Sequence, residues 1–534
     1  MPDHEAPLEG DPSPLPAGEQ QGEADRVRFA PAELQQRAMA GTVWTSIHSV
    51  ISAPVNLVAN LIVARSLGPT GFGLVALLSL IYLLAVTVSE AGFNGAVNLW
   101  GAAEYAHGRE TETDELLRKG VGWQILVETP FAGIVMAAIV WHHGLAIVGL
   151  TLFGVAMNTV FCGPGFAIYI ENRTAQLARW AIPSNLLLQA SIISVAIVTR
   201  NPVEVWLARL IVGGALTLVY LIPLSPKRRR ASLQPMWPRR LPDGMWRFIF
   251  YRTMSTLVGQ LSSTRSEILI LAVFGDRTAI GIFALAYGLA SQLTAPVDAV
   301  LGPLSPASAA LVATSPHRAE AAFLRAMRFT SALSGVLEAV ALSALTMLVP
   351  LFYGAKFHGT ELLLVPLGVA SCLQSMLNPV TSFVSARRQA GLTLKANSIA
   401  LVADLGLACV LVPFMGVWGA VIANIVGSLA NFPFLVSYLL RCTATPFQRF
   451  FDSTRTWWVA LVAVAAAVGG ATALGGSALV RTAVATAVGG GVFVLGVRLW
   501  RAGFGEDDRS ALQSALPRPL RRVAALGFAV LGST

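Results

Sequence analysis

Charge is what this sequence has least of. Asp, Glu, Lys and Arg make up 13% of its 534 residues, about half the ~25% usual in soluble domains. With 54% hydrophobic residues and a mean hydropathy of +0.64, that shortage excludes a water-soluble globular chain. Cysteine is scarce too. Cys162, Cys372, Cys409 and Cys442 are scattered without CxxC spacing, which excludes a disulfide framework or a zinc site. No Gly-Lys-Ser/Thr occurs, so there is no Walker A loop. The glycines of "LIVARSLGPTGFGLVAL" (61–77) therefore read as a bend between two apolar helices and not as a phosphate cradle. H-E-x-x-H and G-x-S-x-G are also missing, and His142–His143 reads as a solvated pair in a short loop. The chain is expected to be no enzyme and to need no metal or cofactor. Short outer loops, the first of them without an acid, speak against membrane glycosyltransferases and polymerases.

What is present is apolar sequence in runs of membrane-crossing length, about 18 residues or more. Fourteen spans are expected, at 42–64, 73–97, 120–141, 145–170, 180–199, 204–223, 252–274, 279–302, 329–350, 361–384, 393–413, 416–440, 457–475 and 479–499. Lys and Arg fall on one side of these spans. Of 38, all but eight lie in the tails and in alternate loops such as "PKRRRASLQPMWPRR" (226–240). Arg65, Arg200, Arg277, Lys356 and Arg481 fall on the other side. Cytoplasmic loops carry the excess, so both termini are expected in the cytoplasm. The net charge of +9 then reports orientation, and no nucleic acid is implied. The expected organisation is a disordered tail (1–40), a six-helix bundle (41–223), a basic linker (224–250), a second six-helix bundle (251–440), two further helices (456–500) and a basic tail (501–534).

The halves echo one another. A shift of 208 residues lays 61–91 on 269–299 without a gap, pairing Thr70 with Thr278, Gly73 with Gly281 and Glu90 with Asp298. Six spans per half is an even number, so the repeat is parallel.

Charges inside a bilayer are costly and mark pathways by default. Arg265 and Glu267 lie deep in span 7, two residues apart and so on opposite faces of a helix. Arg252 lies near the cytoplasmic boundary and Arg209 in span 6. Asp404 and Glu338 fall mid-span and Glu128 shallower, while Glu90 and Asp298 sit near inner ends. Each acid reads either as a coupling or gating group or as a paired structural charge.

The stretch "LIVARSLGPTGFGLVALLSLIYLLAVTVSEAGFNGAV", with "RSEILILAVFGDRTAIGIFALA", "LVPLFYGAKF" and "LVPFMGVWGAVIAN" in that order, resembles polysaccharide transporters. These are the O-antigen and exopolysaccharide flippases of the MOP (MATE-like) superfamily. The resemblance covers about residues 38–440. It implies an all-α polytopic membrane protein in a bacterial plasma (inner) membrane. Its twelve-helix core would be two bundles around a central cavity, with two C-terminal helices added. The implied cargo is a polyprenyl-pyrophosphate-linked oligosaccharide, flipped by alternating access and driven by an ion gradient or the membrane potential. Arg265, with Arg209 or Arg252, would hold the pyrophosphate, and Asn56, Asn60 and Gln260 would face the sugar. Glu267, Asp404, Glu338, Glu90 and Asp298 would couple or gate. Membrane lipids and glycan assembly or polymerisation proteins are the expected partners. The alternatives are a proton- or sodium-coupled small-molecule antiporter, a lipid II flippase and a glycan polymerase.

Overall fold

The computed structural model describes residues 31–263, 266–301, 316–387, 390–443, 445–474 and 476–500. Residues 1–30 of the expected N-terminal tail and all of 501–534 lie outside the described residues, as does Arg265. Every element among the described residues is helical. Among the described residues, twelve helical stretches are long and apolar enough to cross a membrane. The first, Ile47–Glu90, has 44 residues, about 66 Å of helix and twice the thickness of a hydrocarbon core. It is two spans, because Gly68 takes a positive φ of 69° between them, a conformation that glycine adopts without strain. The glycine-rich stretch is thus a bend.

We number the spans α1 (31–67), α2 (69–90), α3 (Glu110–His143), α4 (Leu145–Ile170), α5 (Thr174–Thr199) and α6 (Pro202–Leu221). The two helices Met245–Ser263 and Glu267–Phe274 are the halves of α7, followed by α8 (Arg277–Leu301), α9 (Glu320–Tyr353) and α10 (Thr360–Val384). The chain continues through α11 (Ala390–Met415), α12 (Val417–Thr443), α13 (Phe447–Leu474) and α14 (Ala478–Leu499). Thirteen of the fourteen expected spans fall on the membrane-length stretches, and the seventh, 252–274, is described as two helices, Met245–Ser263 and Glu267–Phe274. Their outward faces are apolar: Val198, Phe414 and Leu499 are each more than 80% exposed. In water that exposure would be costly, whereas in lipid these faces meet their own kind.

Four expected continuous spans are broken near one end. After Glu90, Ala91 and Gly92 take positive φ and turn the chain into a new helix, Phe93–Ala106. Span 4 breaks between Leu145–Val160 and Gly163–Ile170, span 10 between Thr360–Met376 and Asn378–Ala386, and span 12 between Val417–Ala430 and Phe432–Thr443. Hydropathy runs straight through these points, because a break of one or two residues leaves the apolar run intact.

The halves meet closely at the Gly68 end. A Cβ on Gly281 would lie 1.9 Å from the Pro69 carbonyl oxygen, and one on Gly73 would lie 2.5 Å from that of Arg277. Small residues let helix backbones approach like this. Beside them, the Thr70 and Thr278 hydroxyls are 3.2 Å apart. A Cβ on Gly73 would also lie 2.8 Å from the Gly281 nitrogen, and Gly73–Gly281 and Thr70–Thr278 are each 208 residues apart, the shift that relates the two halves in sequence.

At the other end the linker is docked onto the first half. Its short helix Pro226–Ala231 carries Arg228, which is buried between Asp114 and Glu171 and lies 5.2 Å over the Tyr105 ring. Met236 N–H donates to the Arg118 carbonyl at 2.9 Å, and Lys119 Nζ to that of Arg240 at 2.9 Å. The first half of α7 packs here too, with Met245 and Ile249 in the cluster of Phe93, Val97 and Leu117. Its second half, with Ile268 and Leu271, packs instead with Phe283 and Leu364. Helix α7 thereby bridges the two halves. The last pair, α13 and α14, lies against α9: Trp457 N–H donates to Ser331 Oγ at 3.0 Å, and a Cβ on Gly489 would sit 2.1 Å from the Ala339 carbonyl oxygen.

Candidate functional site

Helical periodicity builds a part-polar, part-apolar wall inside this bundle. On α1, Asn56, Asn60 and Val63 recur one turn apart and share a face; on α2, Phe72, Ala76, Ser79 and Leu83 do the same. These faces line a cavity of about 510 Å³, completed by Gln189 of α5, Arg209 of α6 and a stretch of α8 that includes Tyr287, Ser291 and Gln292. That volume is within the ~300–1,000 Å³ of small-molecule sites. The cavity leans into the first half, with α8 as the second half's share of its walls. Arg209 is the charged residue among its lining side chains, and no carboxylate is among them. Asn185 Nδ2 donates to Asn56 Oδ1 and Gln189 Nε2 to Asn185 Oδ1, both at 3.3 Å, which chains three amides across α1 and α5.

A second polar cluster lies in the other half, where α7, α11 and α12 meet. Ser266 Oγ donates to Asp404 Oδ2 at 2.8 Å, and Asn424 Nδ2 to Glu267 Oε1 at 2.6 Å. Glu267 is fully buried and Asp404 nearly so. The two carboxyl groups lie side by side, and one oxygen of each, Glu267 Oε2 and Asp404 Oδ1, is buried with no hydrogen-bond donor among the described residues. Two carboxylates are both acceptors and cannot bond unless a proton or a cation joins them. Gly427 makes the room, since a Cβ there would sit 2.6 Å from that of Asp404.

The other charged positions lie elsewhere. Glu90 lies near Asn94 and the Arg252 charge, and Gln124 Nε2 donates to Asn94 Oδ1 at 3.5 Å. Glu128 closes a π-helical turn, Gln124–Glu128, in α3. Arg252 packs on Gly92, where a Cβ would meet its side chain at 3.0 Å. It therefore lies at the end of α2 and does not share the cavity with Arg209. Asp298 accepts from Ser375 and Asn378 at 3.2 and 2.8 Å. Glu338 sits in a second π-helical turn, Leu337–Leu342 of α9, facing Trp457 of α13. Of the expected cargo residues, Asn56, Asn60 and Arg209 come together. Arg265 and the side chain of Gln260 lie outside the described residues. Sequence reasoning missed Asn185 and Gln189, although two amides one turn apart in an apolar run were the available signal. Ser266 and Asn424, which position the acid pair, carried no such signal.

Comparison with known proteins agrees with this architecture. No curated protein matches the chain. Among solved structures, the chain is similar to one described as lipid II flippase MurJ in an inward closed conformation (TM-score 0.61, 12% identity, covering 86% of this chain and 98% of that one). It is also similar to an inward-facing multidrug resistance MATE family transporter of the MOP superfamily (TM-score 0.54, 15% identity, 75% and 99% covered). An outward-facing MATE transporter matches with a TM-score of 0.50 and 16% identity, over 79% and 98%. These likenesses establish the fold. Residues 62–361 match the family described as polysaccharide biosynthesis protein, and the chain, on a MOP-superfamily fold, belongs to that family.

Proposed function

We propose that the chain is a flippase for a polyprenyl-diphosphate-linked oligosaccharide, moving it from the cytoplasmic to the outer leaflet of a bacterial inner membrane by alternating access. The Arg228 end of the bundle, with both termini, faces the cytoplasm, and the Gly73–Gly281 contact closes the outer side. The observation that carries this reading is the polar part of the cavity's lining: one guanidinium with amides and hydroxyls, set among apolar side chains, and no carboxylate among the lining residues. A diphosphate needs fixed positive charge to leave water, and arginine presents a fork that matches phosphate oxygens. A cationic drug would need the opposite sign, which disfavours a multidrug antiporter.

The drive comes from the Glu267–Asp404 pair, which takes up one proton or monovalent cation. Each charge that moves with the membrane potential yields ~2.3 kcal/mol per 100 mV. Arg252 and Glu90 close the inner mouth in the closed state. The test is translocation of a polyprenyl-diphosphate-linked oligosaccharide in reconstituted vesicles. Wild type should move it, and Arg209→Ala should lose at least about tenfold in rate. Export of cationic dyes by a wild type that moves no such lipid would overturn the reading.

A further inference from the structure

The amide chain on the cavity wall is not needed to neutralise a diphosphate, and it is unlike anything that a lipid tail could use. Asn56, Asn185 and Gln189 are joined end to end by two hydrogen bonds. The chain uses the Oδ1 atoms of Asn56 and Asn185 and one N–H each of Asn185 and Gln189. Among the described residues, the amino group of Asn56 and the carbonyl of Gln189 are then left for a third party. Asn56 and Gln189 both line the cavity, and Gln292 of α8 adds another amide from the second half.

Amides offer a donor and an acceptor side by side, and a sugar hydroxyl or acetamido group does the same. A site that hydrogen-bonds such groups rejects an analogue that lacks them far more strongly than an apolar pocket could, because its amides, Gln189 buried and the others half-buried, would go unpaired. Arg209 stands in the same cavity, so a phosphate held there brings the first sugars of its cargo to the amide row. We propose that Asn56 and Gln189, held in line by Asn185 and supplemented by Gln292, form the saccharide-recognition site that sets which glycan is carried. Neutral, hydroxyl-rich sugars next to the phosphate are its ligands. This rests on the flippase reading and narrows its substrate.

A purely structural clamp between α1 and α5 would bond in the same way, so the test reads selectivity. The full chain in lipid nanodiscs is titrated with two probes, a C55 polyprenyl diphosphate and the same lipid bearing a disaccharide. Wild type should bind the saccharide form at least about tenfold more tightly. The near-isosteric variants Asn56→Leu and Gln189→Met should abolish that preference while leaving the affinity for the bare diphosphate unchanged. Arg209→Gln should weaken both probes by the same factor. Retention of the preference in both amide variants, or equal weakening of both probes by them, would overturn the assignment. A wild type that binds both probes equally also overturns it and leaves the flippase reading standing. If wild type binds neither probe, both readings fail.

Discussion

Asp404 and Glu267 show what a single residue can and cannot reveal in a membrane sequence. An acid in an apolar run is conspicuous because it is costly there, and both positions stand out on that ground alone. That they lie side by side is invisible, since they belong to α7 and α11 and their proximity depends on how those helices pack. That proximity also depends on Gly427, whose missing side chain leaves space for Asp404. Arg209 was legible for the same reason as the acids. Gln189 and Asn185 were not, because an amide costs less in lipid than a charge does and draws less notice. Asp404→Asn should leave Glu267 without its acidic partner and abolish the dependence of transport on the driving ion. Initial rates measured in vesicles across imposed pH and Na⁺ gradients check this; undiminished dependence on either gradient would remove the pair from coupling.

Among the elements, the third helix of each half departs from α-geometry in the same way. Helices α3 and α9 each contain a π-turn, Gln124–Glu128 and Leu337–Leu342, and each turn holds a buried glutamate. Such turns are frequent at functional sites, yet no sequence pattern announces them. In α3 the Thr129 hydroxyl donates to the Gln124 carbonyl at 2.8 Å, five residues back, and ties the wider turn down. The linker is the other element that sequence alone undersold. Its run of basic residues suggested only orientation, whereas Arg228 is a buried strut between Asp114 and Glu171. Removing one partner of a buried ion pair strands the other and costs about 3–5 kcal/mol. Arg228→Ala should therefore lower the melting temperature of the purified protein markedly. Arg229, exposed and bonded to the Leu221 and Ile222 carbonyls, should tolerate alanine with little change.

For the whole molecule, the closure at the Gly68 end is the feature most open to direct control. Thr70 and Thr278 face each other with their hydroxyls 3.2 Å apart, and a disulfide needs Cβ atoms about 3.5–4.5 Å apart. The double variant Thr70→Cys/Thr278→Cys should cross-link on oxidation and stop translocation, and reduction should restore it; transport at the wild-type rate in the oxidised protein would show that this end never opens. The halves have otherwise diverged. Where the first, fifth and sixth helices meet, the first half presents amides and an arginine, and the equivalent helices of the second half present two carboxyls. On the flippase reading proposed above, that difference would let one half hold an anionic cargo while the other answers to a cation.

The Thr70–Thr278 and Gly73–Gly281 contacts have a further consequence. A residue that touches its own counterpart is the signature of an isologous interface, the kind formed by two identical subunits around a two-fold axis. The chain is joined at this point as a homodimer would be, although it is a single polypeptide. Changes at the axis therefore act in pairs: a side chain at residue 73 presses on the Arg277 carbonyl and one at residue 281 on the equivalent Pro69 carbonyl, and either forces the same two helices apart.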